Sequence, residues 1–100
     1  MRQKRRYLLA YYNGDDAINF IKRIYLEKFG KEDLSRASLK LISYEDGFLI
    51  VRCSLSCYAH LMEALLFLND RFITLGTSGT LKALRSRIHE IKKDFKGNRY

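Results

Sequence analysis

Cys53, Cys57 and His60 are the residues of this sequence whose types could bind a metal ion together. Thiolate and imidazole groups are common zinc ligands, but a structural zinc site needs four ligands and usually takes them from paired motifs such as C-x-x-C. The sequence has no paired motif, and no fourth ligand lies near these three residues. We therefore interpret them as ordinary buried or half-buried side chains, and we expect the protein to bind no metal and no cofactor of its own.

Acid–base catalysis would need a histidine or a carboxylate pair in a suitable setting. His60 and His89 stand in no motif that supplies a nucleophile and an orienting acid. Asp15 and Asp16 are adjacent carboxylates, but they directly precede a segment with helical periodicity. An aspartate in that place normally caps the helix and interacts favourably with its dipole. The sequence therefore predicts no catalytic residues.

The segment TLGTSGTLKALRSRIHE, residues 74–90, runs from a turn of small residues into a basic helix. It is not a P-loop, because its glycines are too closely spaced and no Gly-Lys-Thr/Ser follows. One interpretation is a plain turn, in which Thr77 or Ser78 caps the helix and Gly79 allows another backbone to approach. The other is an anion site, because free amides at a helix start attract anions and basic side chains lie in the first turn. The residues of that candidate site are Ser78, Gly79, Thr80, Lys82 and Arg85.

The net charge of +8 is concentrated at the two ends of the chain. Residues 1–6 carry +4 and residues 82–100 carry +5, whereas residues 7–81 carry −1. A surface that is only solvated would intersperse its signs, so this distribution favours a polyanionic partner, with nucleic acid as the first candidate. The alternative is that the organism's proteins are basic in general and that the two ends are loose tails without such a partner.

Hydrophobic periodicity divides the chain into four strands and three helices. The predicted strands cover residues 6–12, 38–45, 48–54 and 71–77, with an Asp46-Gly47 hairpin turn between the second and third. The predicted helices lie between Asp16 and Gly30, over residues 57–69 and over residues 79–95, and residues 31–36 form a polar connection.

The first six elements follow the order of the split β-α-β repeat. We therefore predict an α+β sandwich of the RRM-like or ferredoxin-like type, β-α-β-β-α-β, in which two helices cover one face of a four-stranded antiparallel sheet. The C-terminal helix, residues 79–95, is an addition that covers the open face or an edge, or presents its basic side outward. We expect residues 1–100 to form one cytoplasmic domain with a basic arm at residues 1–5 and no membrane span.

The third predicted strand limits the ways in which nucleic acid can bind. RNA-recognition domains place stacking aromatics on their first and third strands, but Ile50 stands where a second aromatic belongs. We therefore do not expect base stacking of that kind. Alternation separates an outer set of side chains, Phe48, Ile50 and Arg52, from a core set, Leu49, Val51 and Cys53. Arg52 then either binds a phosphate or pairs with an acid across the sheet.

The predicted helix at residues 57–69 is apolar on nearly every side. Such a helix cannot bury all of its surface against one sheet, so part of it meets another helix or another chain. The residues that we assign to a protein partner are Tyr58, Met62, Leu66 and Phe67. Among these, we expect Leu66 and Phe67 to lie outside the protein's own core.

Three stretches, taken together and in order, resemble one family: KRRYL at residues 4–8, VRC at 51–53 and TLGTSGTL at 74–81. The family is protein component 2 of archaeal ribonuclease P, which has eukaryotic relatives in ribonuclease P and ribonuclease MRP. The resemblance implies a non-catalytic subunit of an enzyme whose RNA carries the active site and removes 5′ leaders from precursor tRNAs. It also implies a partnership with the larger, barrel-fold component 3 as two copies of each, Mg²⁺ bound by the RNA, and precursor tRNA engaged indirectly.

Charge and resemblance together give an expected RNA-binding set, which neutralises RNA phosphates. Its members are Arg2, Lys4, Arg5, Arg6, Arg52, Ser78, Gly79, Thr80, Lys82, Arg85, Lys92 and Lys93. Two other functions stay open on the residues alone. A free-standing RNA-binding or ribosomal protein would bind RNA without component 3, and a small-ligand effector domain of the same topology would show little RNA affinity.

Overall fold

The structure is a computed structural model that describes residues 4–68 and 70–97. Within these residues, four strands, four helices and one 3₁₀ turn follow one another. In order they are β1 (Arg5–Tyr12), α1 (Ala17–Phe29), α2 (Lys31–Ala37), β2 (Lys40–Glu45), β3 (Phe48–Ser54), the 3₁₀ turn (Leu55–Cys57), α3 (Tyr58–Phe67), β4 (Phe72–Ser78) and α4 (Leu81–Gly97).

The four strands form one antiparallel sheet in the order β2-β3-β1-β4. This mixed α+β architecture is compatible with the predicted split β-α-β fold, to which α4 is added. The hairpin between β2 and β3 turns at Asp46 and Gly47, which both adopt positive φ angles, 55° and 86°. Such angles are required at both central residues of a tight hairpin turn and explain the Asp-Gly sequence.

The short helix α2 was not predicted, because its sequence KEDLSRA contains too few apolar residues for a helical period to be recognised. The interpretation of residues 31–36 as a connection is therefore wrong. Leu34 and Ala37 pack into the core from this helix, and Ala37 is fully buried. Tertiary burial thus stabilises a helix of only seven residues that would be marginal in isolation.

The predicted aspartate cap of α1 is also wrong. Asp16 precedes the helix in a left-handed conformation, and its side chain makes no capping hydrogen bond to the backbone. Its Oδ1 instead accepts a hydrogen bond from Nδ2 of Asn19 at 2.8 Å. Capping needs an extended backbone at this position so that the carboxylate can reach the free amides, and Asp16 does not have it.

The main core lies between the sheet and helices α1, α2 and α3. The core face of β3 is the one that alternation predicts, with Leu49, Val51 and Cys53 fully buried. On β1 the matching positions are Leu8, Ala10 and Tyr12, and the ring of Tyr12 stacks on Phe72 of β4 at a centroid distance of 4.3 Å.

Helix α4 covers the opposite face of the sheet, so the first of the three predicted placements is the observed one. Leu84 is 3% exposed and packs against Leu9 of β1 and Ile50 of β3, which are both fully buried. The sheet is therefore covered on both faces over its central strands. Among the described helices, none has the length and apolar character needed to cross a membrane.

Candidate nucleic-acid interface

The strand directions gather basic side chains from distant parts of the sequence at one end of the sheet. β1 and β2 begin at this end, whereas β3 and β4 finish there, because neighbouring strands are antiparallel. Helix α4 starts directly after β4 and adds its first turn to the same place. We call this region the basic end, and its cations are Lys4, Arg5, Arg6, Lys40, Arg52 and Lys82.

A row of four directly paired residues crosses the sheet at the basic end. Arg52 of β3 pairs with Lys40 of β2 on one side and with Tyr7 of β1 on the other, and Tyr7 pairs with Ser78 of β4. Two like charges directly opposite each other destabilise a sheet. The Lys40–Arg52 pair therefore marks a place where a bound anion would be stabilising.

The cations of the basic end have no acidic partner among the described side chains. The ion pairs that the described residues form all lie elsewhere: Arg36–Asp33, His60–Asp33, Arg87–Glu90 and Lys92–Asp46. Of the two alternatives for Arg52, pairing with an acid across the sheet is therefore not observed. Unpaired positive charge concentrated in one region attracts polyanions and increases their rate of association.

Two amides at the start of α4 are paired with side-chain oxygens of the preceding turn. The Thr80 amide donates to Oγ of Ser78 at 3.1 Å, and the Ala83 amide donates to Oγ1 of Thr80 at 3.4 Å. Thr80 is therefore the capping residue, and the predicted cap at Thr77 or Ser78 is wrong. Because these two amides are already paired, they are not free to bind an anion. Gly79 lies beside the Arg6 guanidinium, whose Nη1 is 3.6 Å from the place that a Cβ of Gly79 would occupy.

Several residues of the predicted RNA-binding set are not members of the basic end. Arg85 is exposed one turn into α4, and Lys93 is exposed near the far end of that helix. The ammonium of Lys92 lies 2.9 Å from the Asp46 carboxylate at the hairpin, so its charge is largely neutralised. Arg2 lies outside the described residues.

Lys40 is a member of the basic end that the sequence analysis did not include. It is exposed, and it lies directly opposite Arg52. The available signal was the tight Asp46-Gly47 turn, because a two-residue hairpin turn fixes which residues of the two strands are paired. Counting pairs back from the turn does not reach the Lys40–Arg52 pair, because the register shifts between Leu41 and Ser43. The sequence gives no sign of this shift.

The sheet offers no stacking platform at its centre, in agreement with the expectation from Ile50. That residue is fully buried beneath α4. Tyr11 and Phe48 do form a cross-strand aromatic pair, edge to face at 5.5 Å, but they lie at the hairpin end of the sheet, close to Lys92 and Asp46. The basic end therefore presents mainly charged side chains rather than a stacking platform.

The residues assigned to a protein partner divide into two groups. Tyr58 and Met62 are partly buried against the protein's own core. Leu66 and Phe67, at the end of α3, are 67% and 69% exposed. The Phe67 ring is contacted by the ammonium of Lys28 from α1, which lies 4.0 Å from the ring centroid. The expectation that Leu66 and Phe67 lie outside the core is confirmed.

A polar cluster that the sequence analysis missed joins α1, α2 and α3. The Asp33 carboxylate of α2 accepts hydrogen bonds from the Tyr25 hydroxyl and from Nδ1 of His60, the latter at 2.9 Å. The His60 ring also stacks on Phe29 at 4.0 Å. These two hydrogen bonds hold the pKa of the Asp33 carboxyl below its ordinary value of 3.8, although partial burial opposes them. His60 thus has an orienting acid, but its described hydrogen bonds and ring contacts include no nucleophile, and we interpret the cluster as a tie between helices.

The Asp33 carboxylate should make stability depend on pH in the acid range. A depressed carboxyl pKa contributes stability above the unfolded pKa, near 3.8, and this contribution is lost as the pH falls through the lower folded value. We expect Asp33→Asn to reduce the free energy of unfolding at pH 7, because the charged acceptor of the Tyr25 and His60 hydrogen bonds is lost. The difference from wild type, measured by urea denaturation, should shrink below pH 3.8. An equal difference at pH 7 and in acid would contradict this assignment, and the exposed Asp15→Asn serves as the control.

Comparison with known proteins gives a relative that matches most of the chain. Ribonuclease P protein component 2 of Methanocaldococcus jannaschii is 26% identical over 105 residues, which cover 93% of this chain and 78% of the relative. No protein-family model matches the chain. This distant similarity extends over nearly the whole described fold and suggests the same family that the three sequence stretches resemble.

Proposed function

We propose that the protein is a non-catalytic subunit of ribonuclease P that supports the catalytic RNA in removing 5′ leaders from precursor tRNA. The observation that carries the proposal is the basic end, which collects six cations and, within the described side chains, no acid within ion-pair distance. The similarity to the M. jannaschii component 2 along 93% of the chain supports the choice of this RNA over others.

The proposed mechanism is electrostatic. Cations at the basic end neutralise phosphates where strands of the RNA approach each other, which lowers the repulsion that the folded RNA must overcome. The RNA's need for Mg²⁺ falls accordingly, and the protein itself contributes no group to the reaction. Precursor tRNA is engaged indirectly, through the RNA.

Binding to the RNA should weaken steeply with salt. Each phosphate that a lysine or arginine neutralises releases counterions, so the logarithm of the affinity falls by roughly 0.7–0.9 per contact for each tenfold rise in salt concentration. A titration of the protein with its ribonuclease P RNA at several salt concentrations measures this slope. A slope near zero would contradict the electrostatic mechanism, whereas a slope of about 3 or more would agree with a site built from several cations.

The exposed end of α3 is the proposed contact for the barrel-fold component 3, in an assembly with two copies of each protein. Leu66 and Phe67 are adjacent large apolar side chains with more than half of their surface exposed. Apolar side chains of this size become binding hot spots when a partner desolvates them. Tyr58 and Met62, which belong to the same helix and pack partly against the core, would then hold this surface in position.

Phe67→Asp should weaken the complex with component 3 without unfolding the protein. The ring is 69% exposed, and the introduced carboxylate would lie close to Lys28, so the folded state loses little. The partner, in contrast, would have to bury a charge, and we expect a loss of about 2 kcal/mol or more, or roughly 30-fold in affinity. Calorimetry with purified component 3 measures the change. Ile73→Asp on β4, where Ile73 is 57% exposed, is the matched control, and equal losses for both variants would refute the assignment.

A further inference from the structure

A small notch opens beside the start of β1, between the two arginines Arg5 and Arg52. It is lined by Arg5, Ser38, Arg52, Cys53 and Ser54. Its volume of about 40 Å³ is roughly three times the minimum of about 10–15 Å³ that a single water requires. The notch can therefore admit a group of a few atoms, and its lining offers hydrogen-bond donors from two cations.

One donor of Arg52, a residue that lines the notch, is unsatisfied. Its Nε is buried and has no hydrogen-bond partner among the described residues. Buried donors are nearly always paired in folded proteins, so an unpaired one on a charged side chain calls for an explanation. The guanidinium presents several N–H donors in a planar fork, which matches the oxygens of a phosphate.

The other residues around the notch supply no negative charge to balance Arg52. Burial raises the pKa of the Cys53 thiol to about 12, so no thiolate is present at neutral pH. The Ser54 hydroxyl, which donates to the backbone oxygen of Arg36 at 3.0 Å, carries no charge. The cross-strand neighbour Lys40 adds a further positive charge next to Arg52. The charged side chains that line the notch, Arg5 and Arg52, and the neighbouring Lys40 therefore all carry positive charge.

We propose that the notch between Arg5 and Arg52 is a discrete site for one phosphodiester group of the RNA backbone, with the Arg52 guanidinium as its main donor. The proposal rests on the proposed function and adds a particular group to it. A phosphate in this place would accept hydrogen bonds from the Arg52 guanidinium and relieve the repulsion between Lys40 and Arg52. Arg5, which is exposed on the rim, would contact the same phosphate from the solvent side.

The test uses the full chain and two probes, inorganic phosphate and the ribonuclease P RNA. At constant ionic strength, phosphate should raise the melting temperature of the wild type, because a ligand that binds only the folded state stabilises it. Arg52→Gln should abolish this rise, lower RNA affinity about tenfold and reduce the salt slope by about 0.7–0.9. Arg52→Lys, which keeps the charge but loses the fork, should recover only part of the affinity.

The outcomes separate this site from the general function. Arg23→Gln removes an exposed arginine from α1 and should change neither probe's response. If the wild type binds RNA but both Arg52 variants match it in affinity, slope and phosphate response, the notch proposal is overturned while the proposed function stands. If phosphate stabilises the protein through Arg52 but the wild type has no affinity for RNA, the notch is supported as a phosphate site and the proposed function fails. If Arg52→Gln folds poorly, the RNA affinity and phosphate response of Arg52→Lys, compared with those of the wild type, decide whether the notch proposal holds.

Discussion

Leu84→Ala should destabilise the protein by about 2–5 kcal/mol, because Leu84 is the residue through which α4 is held on the sheet. Its side chain is 3% exposed and packs against Leu9 and Ile50. Truncation removes the buried methyl groups and leaves a cavity between the helix and the central strands. The remaining stripe of α4 has only partly buried apolar residues, such as Leu81 and Ile88, to compensate.

Urea denaturation of the wild type and the variant measures this loss. Leu66→Ala is the matched control, because it makes the same chemical change on a leucine that is 67% exposed, and it should change stability by no more than about 0.5 kcal/mol. Similar losses for the two variants would contradict the packing of α4 described above. A loss confined to Leu84→Ala would establish α4 as an integral layer of the fold.

Removing three cations near the start of α4 should weaken RNA binding by about 10- to 100-fold. The variant combines Arg6→Ala, Lys82→Ala and Arg85→Ala, which are exposed side chains at and next to the basic end. Each exposed charge contact contributes roughly 0.5–1 kcal/mol, and a loss of 1.4 kcal/mol corresponds to a factor of ten. The salt slope should fall by about 2–3, since three phosphate contacts are lost.

A second triple variant controls for net charge. Lys22→Ala, Arg23→Ala and Lys31→Ala remove the same three charges from α1 and α2, away from the basic end. If RNA recognises the basic end, this control should retain most of the wild-type affinity and slope. Lys92→Ala should likewise have a small effect, because Asp46 already neutralises that lysine. Equal losses for both triple variants would mean that only the total charge matters.

The elements with strong local signals were predictable from the sequence. The tight Asp46-Gly47 turn and the alternation along β3 follow from short-range geometry, so the hairpin and its buried face emerged correctly. The apolar stripe of α4 was equally visible. The sequence did not show which face of the sheet α4 covers, because an apolar stripe indicates only that one side of the helix is packed.

The parts that failed depend on contacts between distant residues. Helix α2 is stabilised by burial of Leu34 and Ala37 against other elements, and its own sequence carries almost no periodicity. Asp33 and His60 are 27 positions apart and meet only because α2 lies against the start of α3. The Lys40–Arg52 pair similarly requires the observed register of β2 on β3. Such sites become visible only when the fold brings the elements together.

The most direct test of the account is to recover the tagged protein from extract of its own cells at moderate salt, sequence the bound RNA and identify the bound proteins. The proposed function predicts that ribonuclease P RNA is retained together with a barrel-fold protein partner, and that the triple variant at the basic end loses the RNA while keeping the partner. Recovery of unrelated RNAs without that partner would instead indicate a free-standing RNA-binding protein. Absence of any RNA would contradict the assignment of the basic end as a nucleic-acid interface.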